Sequence, residues 1–349
     1  MAIVHHSQFE TVSESISAIA LAHSQIIWVT DTNTFEYCWS LIKNLEKSAL
    51  VLTLPAGEEN KHWSTCELVF SFLLEHKADR KCALIALGGG VICDMVGFCA
   101  SVFKRGVAAY YFPTSLLAMA DASVGGKTGI DFGGLKNVIG TFKEPKEVHI
   151  YPDFLDTLPQ QEVLSGLAEM MKHQLIAPTS DTFWELVKLG DITIESLKPF
   201  IADTITFKAE VVAEDPEEAD YRKVLNTGHT VGHAIESWFL EQGTTIPHGY
   251  AVAIGLFCEA YIGWRVGYGN PDFVKELKLI IEKNYPKQII PETAFEQICQ
   301  LALNDKKNSN TEIKAILPAD YGIFIWDQPM TKEHITEALT IYNKHFSSH

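Results

Sequence analysis

The run Cys82-Ala-Leu-Ile-Ala-Leu87 stops at Gly88-Gly89-Gly90 and continues as Val91-Ile92-Cys93-Asp94, and this junction constrains the fold more than any other stretch. A short unbroken apolar run bounded by turn residues reads as a strand buried on both faces. The glycines let backbone approach a ligand closely, and a helix resuming after them offers free N–H groups to an anion such as a pyrophosphate. The spacing is not Gly-x-Gly-x-x-Gly, so a plain tight turn is the competing reading. Residues 26–30 and 49–54 form similar β-branched runs, with helical periodicity after each over about 35–45 and 64–76. Ala108-Ala-Tyr-Tyr-Phe112 adds another strand, closed by Pro113-Thr114-Ser115. Strands and helices alternating at this length predict a parallel sheet with right-handed crossovers.

Beyond Pro152 the β-rich texture fades and helical patterns take over. A chain of 349 residues accommodates two domains. The sequence therefore predicts an α/β, Rossmann-like N-terminal domain over 1–155 and a mainly α-helical domain over 156–349. The formal charge of -16 argues against nucleic acid or an anionic membrane surface as partner. No basic segment followed by an apolar run and a cleavage site opens the chain, and the most apolar segment, 250–264, contains Glu259 and is shorter than a membrane span. Seven cysteines without a Cys-x-x-Cys pair read as reduced, buried thiols of a cytoplasmic protein.

Asp121-Ala-Ser-Val-Gly-Gly-Lys127-Thr128-Gly129, followed by Lys136-Asn137, is the densest polar stretch. It fails as a Walker motif, because Asp121 stands where glycine is required. What remains is a glycine-rich loop with two lysines, suited to a phosphate or carboxylate, or an ordinary solvated loop. Glu58 and Lys61 are loop charges after the second of these strands. Glu169 and Lys172 lie three apart on one helix face among apolar neighbours, either a surface ion pair or a half-buried functional one. The acidic run 214–218 reads as a solvated face, and Arg222 and Asn226 follow it.

Leu225-Asn226-Thr227-Gly228-His229-Thr230-Val231-Gly232-His233-Ala234-Ile235-Glu236 packs two imidazoles, an amide and a carboxylate into one segment. Positions i and i+4 of a helix share a face, so His229 and His233 suit a metal, a proton relay, or simple packing. His248 opens the next helix; the other histidines read as structural or solvent-exposed. Glu169, His229 and His248 give the two-nitrogen, one-oxygen set of a catalytic metal site, provided that a neighbouring helix brings Glu169 in. A metal beside a dinucleotide suggests hydride transfer from a polyol. Arg105, Lys127, Lys136, Lys172, Lys208, Arg222 and the Lys306-Lys307 pair are more cations than a neutral alcohol can use, and so imply a substrate with at least two anionic groups.

Gly88 to Asp94, Phe112 to Gly129, Lys136 to Gly140, Ala168 to Lys172, Leu225 to Glu236 and His248-Gly249 together resemble the 3-dehydroquinate synthases, in order along most of the chain. The resemblance implies an active site in the cleft between the domains. It also implies the substrate 3-deoxy-D-arabino-heptulosonate 7-phosphate and a sequence of oxidation by NAD, phosphate elimination, re-reduction, ring opening and aldol closure. Carried over by position, Glu169, His229 and His248 match the ligands of zinc or cobalt. Asp31, Glu58, Lys61, Gly89, Gly90, Asp94, Thr114, Ser115, Asp121, Lys127 and Lys136 match positions around NAD. Lys127, Asn137, Lys172, Lys208, Arg222, Asn226, His233, Lys306 and Lys307 match the substrate pocket, with Lys172, His233, Asn137, Lys127 and Arg222 as the catalytic set. Glu218 matches the acid that orients this cluster. Arg105 matches a residue reaching the phosphate from a neighbouring subunit, which implies a homodimer. The family commonly has Gly-Leu-Arg where this chain has Asp220-Tyr221-Arg222, so a left-handed turn is expected at Asp220. Two alternatives stay open: a metal- and NAD-dependent polyol dehydrogenase of the glycerol type, and another sugar phosphate cyclase.

Overall fold

The computed structural model describes residues 2–6, 9–45, 50–133, 135–303 and 313–346. They form two compact units: residues 1–159 with 201–213, and residues 160–200 with 214–349. The sequence suggests one boundary near 150–160; in the structure a helical segment downstream also belongs to the first unit.

The first unit is built on strands β1 (Ile3–His6), β2 (Ile26–Asp31), β3 (Leu50–Leu54), β4 (Ala83–Gly88), β5 (Ala108–Pro113) and, later in the chain, β8 (Glu147–Ile150). They pair in parallel in the order β1-β8-β5-β4-β2-β3. Every residue of β4 is buried, as expected of a central strand covered on both faces, whereas β3 at the edge is mostly half-exposed. Helices α1 (Phe9–Ala22), α2 (Thr32–Tyr37), α3 (Trp39–Ile42), α4 (Trp63–Glu75) and α5 (Gly90–Val102) supply the crossovers. The single helix expected over 35–45 is two short ones. The first starts early because Asp31 caps it, accepting from the Thr34 N–H at 2.8 Å while Thr34 Oγ1 accepts from the Asp31 N–H at 3.0 Å.

Residues 121–137, expected to form a glycine-rich loop, instead run into a hairpin of β6 (Lys127–Phe132) and β7 (Leu135–Phe142). Gly129 pairs with Gly140 across it, and a Cβ on Gly140 would overlap the Thr128 carbonyl. The glycines that disguise this hairpin in the sequence are what let its strands approach.

The second unit contains α6 (Gln160–Ile176), α7 (Asp181–Leu189), the start of α8 (Ile194–Glu214), α9 (His229–Glu241), α10 (His248–Arg265), α11 (Pro271–Asn284), α12 (Phe295–Leu303), the antiparallel pair β9 (Ile313–Asp320) and β10 (Ile323–Met330), and α13 (Lys332–Phe346). Pro199 removes a ladder donor within α8 just before the chain passes into the first unit. α10 is buried from Gly249 to Gly263, with α6, α9, α11, α13 and β9 packed around it. A helix apolar all round is a core helix, and burying each large aliphatic side chain contributes roughly 1.5–3 kcal/mol. No helix among the described residues is long and apolar enough to cross a membrane. All seven cysteines are buried and free.

Candidate functional site

Three helices of the second unit, α6, α9 and α10, each carry one of the expected metal ligands, and glycines let the helices come close. Gly249, next to His248, packs so tightly on α6 that a Cβ would overlap the Ser165 carbonyl, and its N–H donates to Ser165 Oγ at 3.0 Å. Ser165 lies one turn before Glu169, on the same face. A Cβ on Gly255 of α10 would overlap the Gly228 carbonyl at the start of α9, and one on Gly232 would sit 3.0 Å from the Ala251 carbonyl.

This packing brings Glu169, His229 and His248 together, with one donor atom from each within 4.8 Å of the others. Nε2 of His229 and Nε2 of His248 each lie 3.3 Å from Glu169 Oε1. Nδ1 of His229 faces the Thr227 carbonyl at 3.1 Å, and Nδ1 of His248 faces Glu236 Oε2 at 3.2 Å. Both partners can only accept, so each Nδ1 donates to the group behind it and each Nε2 is the nitrogen that faces the carboxylate, where it can bind a cation once it carries no proton. Two imidazole nitrogens and a carboxylate oxygen that face one another suit a positive centre between them, a shared proton or a metal ion. Separations of 3.3 Å fit ligands of one tetrahedral ion, since bonds of about 2.0–2.1 Å put neighbouring ligands roughly 3.3 Å apart. The residues therefore fit a divalent cation.

The electrostatics set the two imidazoles apart, His229 neutral and His248 holding a proton that a cation would have to displace. Burial alone would push the Glu169 carboxyl up, but the Lys172 ammonium paired with it and the two imidazoles hold it well below the usual carboxylate range. Burial, helped by Lys172, drives His229 down to about 3 despite Glu169. Burial would also lower His248, yet its hydrogen bonds to Glu169 and Glu236 lift it to about 10. His233 packs edge-on against His229, ring centroids 5.0 Å apart. A second histidine group differs in kind. His5 and His149 flank Glu147, but their rings stack within 9° of parallel, so their lone pairs do not converge on one ion.

The segment before α9 is a closed loop. Asp215 is buried and accepts the backbone N–H of Ala219 at 2.9 Å, Asp220 at 2.8 Å and Arg222 at 3.1 Å. The bond from Asp220 is the largest of the effects that hold its carboxyl below the ordinary value. The run 214–218 is otherwise mostly exposed, as a solvated face should be, so the correction to that reading is confined to Asp215. Arg222 is buried and donates from Nη1 to the Pro216 carbonyl at 2.8 Å; Asn226 Nδ2 donates to Glu218 Oε1 at 2.6 Å. The left-handed residue is Glu218, with φ 58°, whereas Asp220 has φ -141°. The left-handed turn expected at Asp220 is thus not there.

In the first unit the carboxyl ends of β2, β4 and β5 lie side by side, with Thr30 opposite Leu87 and Gly88 opposite Pro113. Ligands of open α/β sheets bind at such ends. Asp31, Gly89, Gly90, Thr114 and Ser115 gather there; the Thr114 N–H donates to the Gly88 carbonyl at 3.0 Å, and a Cβ on Gly89 would stand 3.2 Å from Ser115 Oγ. Lys61 is buried and donates to Asp94 Oδ2 and Asn137 Oδ1, each at 2.6 Å. Burial opposes its charge, but Asp94 and Glu58 raise Lys61 above its ordinary value, while burial lifts Asp94 despite Lys61. Glu58 pairs with Lys136 at 3.4 Å. Lys208 Nζ bonds the Asp121 carbonyl at 2.6 Å and its carboxylate at 2.7 Å. Lys127 is exposed at the start of β6, and Arg105 sits exposed with φ 68°. Lys306 and Lys307 lie outside the described residues.

Residues 51–165 match the 3-dehydroquinate synthase N-terminal family, and residues 166–308 match the 3-dehydroquinate synthase C-terminal family. A 3-dehydroquinate synthase from Parabacteroides distasonis is 37% identical over 332 residues, covering 94% of each chain. The chain belongs to the 3-dehydroquinate synthase family. Among solved structures, 2-deoxy-scyllo-inosose synthase complexed with carbaglucose-6-phosphate, NAD+ and Co2+ has a TM-score of 0.83 at 25% identity, over 97% of this chain and 95% of that one. A probable glycerol dehydrogenase from Sinorhizobium meliloti shares the fold at a TM-score of 0.62 and 12% identity, over 100% of this chain and 97% of that one. Within this family, sequence reasoning passed over Glu236 and Asp215 as site residues. Glu236 was legible in principle, because His229, His233 and Glu236 at i, i+4 and i+7 share one helix face.

Proposed function

We propose that the chain converts 3-deoxy-D-arabino-heptulosonate 7-phosphate to 3-dehydroquinate and phosphate, the carbon-oxygen lyase reaction of the shikimate pathway, with NAD and one divalent metal ion as resident cofactors. The observation that carries this reading is the convergence of Glu169, His229 and His248 beside the buried Lys172, in a chain 37% identical to a synthase of that name over nearly its whole length. When bound, the metal supplies a Lewis acid for a substrate hydroxyl, and NAD supplies a reversible hydride acceptor.

The chain's own residues do the rest. Glu169, His229 and His248 would hold the ion; the glycine turn with Asp31, Asp94, Thr114, Ser115 and Asp121 would hold the dinucleotide at the strand ends. Lys172, Lys208 and Arg222 supply positive charge in largely dehydrated surroundings, where it is worth more than in water. A substrate with both a carboxylate and a phosphate uses that charge, whereas a neutral polyol does not. Asp215 and Pro216 fix Arg222 in place, so the guanidinium is oriented before substrate arrives. His233, beside His229, serves as proton carrier or hydrogen-bond donor toward the phosphate.

We also propose a homodimer in which Arg105 reaches the phosphate of the neighbouring subunit. Phe132, Leu135 and Phe142 of the β6–β7 hairpin are 59%, 63% and 72% exposed, large apolar side chains whose burial against a second copy would support this. The mass in solution by light scattering tests this: a 78 kDa particle, twice 38.9 kDa, is expected, and a monomer contradicts it.

A substrate panel tests the reaction. Turnover of the heptulosonate phosphate with 3-dehydroquinate as product is expected, together with little or none of sedoheptulose 7-phosphate, which lacks the carboxylate. Preference for the latter would make the chain a different sugar phosphate cyclase.

A further inference from the structure

Glu259 is fully buried on α10, within an otherwise apolar stretch, where an ionised carboxylate is costly to place without strong hydrogen bonds. It accepts the N–H of Gly228 at 2.5 Å through one oxygen and the N–H of Val231 at 3.1 Å through the other. These lie at the start of α9. The N-cap there is Gly228, with φ 79° and no side chain to cap the helix, so Glu259 performs the capping from another helix.

The Gly228 N–H and the Thr227 carbonyl belong to one peptide group. Its N–H side bonds the Glu259 carboxylate at 2.5 Å, and its carbonyl side accepts from His229 Nδ1 at 3.1 Å. Thr227 is completely buried, and its Oγ1 bonds the Val224 carbonyl, so the peptide plane has little room to turn. Hydrogen bonds in such a chain polarise one another: a carboxylate on the N–H side increases the negative charge on the carbonyl oxygen. A stronger acceptor at Nδ1–H makes Nε2 a better donor to a cation and fixes its direction. His248 has the direct version of this arrangement, Glu236 on Nδ1.

We propose that Glu259 is a positioning residue for the metal centre, acting on His229 through the Thr227–Gly228 peptide as Glu236 acts on His248 by direct contact. This rests on the metal site proposed above. Partners of this kind change metal affinity by about 10–100-fold when removed.

The test is Co2+ binding to the full-length protein, measured by competition with a chromophoric chelator, together with the visible absorption of the bound Co2+ and a thermal melt. Glu259→Gln keeps the shape but replaces an acceptor oxygen with an amide N–H donor. It is expected to bind Co2+ at least about 10-fold more weakly, with an altered visible spectrum and an unchanged KM for NAD. Glu259→Asp, which keeps the charge, is expected to fall between the two, and it takes the place of Glu259→Gln if that variant does not fold. A folded variant that binds Co2+ within twofold of the unmodified protein, with the same spectrum, overturns the proposal even if its melting temperature drops. Failure of both variants to fold also overturns it, making Glu259 a residue of the fold alone. If the unmodified protein binds no Co2+, the metal site itself is refuted, which is a different outcome.

Discussion

The two clusters of polar residues are organised in opposite ways. In the second unit Glu169, His229 and His248 aim at one point, and a partner behind each imidazole, Thr227 or Glu236, fixes its orientation. In the first unit the charged groups satisfy one another: Lys61 with Asp94 and Asn137, Lys136 with Glu58, and Lys208 with Asp121. The contrast teaches what each can do. A convergent donor set on close-packed helices is ready for a cation and has little room to adjust. A mutually paired set is stable by itself, its charges already satisfied.

The largest effect expected is at the convergent cluster. His248→Ala should lose the metal and about 1,000-fold or more in turnover, corresponding to roughly 4 kcal/mol of barrier. His229→Ala should do the same, whereas His233→Ala should keep the metal and lose turnover; metal analysis alongside kinetics checks both. Equal metal loss in His229→Ala and His233→Ala would give both histidines to the ion.

Next is Gly255→Ala, whose Cβ would overlap the Gly228 carbonyl. It should cost about 3 kcal/mol, the upper range of overpacking, and weaken the metal as well, because α9 must move from α10. A variant with lowered stability but unchanged metal affinity would show that the helix spacing does not set the site. Lys61→Met probes the paired cluster. It leaves Asp94 without its cation and should cost about 2 kcal/mol in chemical denaturation, raise the KM for NAD and leave metal affinity unchanged. Any loss of metal there would break the separation between the clusters.

The last effect is a pH dependence in the first unit, about 2 kcal/mol over the measured window of pH 7 to 5. Burial and His5 push His149 down to about 3 from an ordinary 6.5. The unfolded chain therefore takes up the proton first as pH falls. The stability gained by keeping His149 neutral is complete above pH 6.5 and is lost as pH drops toward 3, by at most about 1.4 kcal/mol per pH unit. His149→Phe, which retains the stack against Phe112, should flatten the decline between pH 7 and 5. An unchanged decline would assign it to other groups.

Much of the first unit was legible because buried parallel strands write themselves as short apolar runs, and the β4 junction at Gly88 showed where the sheet offers its ends. The β6–β7 hairpin was not, because its glycines and exposed apolar residues break the alternation that signals a strand. In the site, spacing alone revealed the His229–His233 pair, whereas joining Glu169 and His248 to it took tertiary packing or family resemblance. Asp215 and Glu259 were illegible for a common reason. In sequence one looks like part of a charge run and the other like an interruption of an apolar helix. Only the structure shows that each carboxylate is spent on backbone N–H groups.

The most direct test is a single reaction of the heptulosonate phosphate with substoichiometric NAD and Co2+ or Zn2+, following phosphate and NADH together. One phosphate per substrate consumed, no accumulated NADH, and loss of both NAD-dependent and metal-dependent turnover in EDTA is the result expected. NADH accumulating in proportion to turnover without phosphate release would contradict the account and make the chain a dehydrogenase.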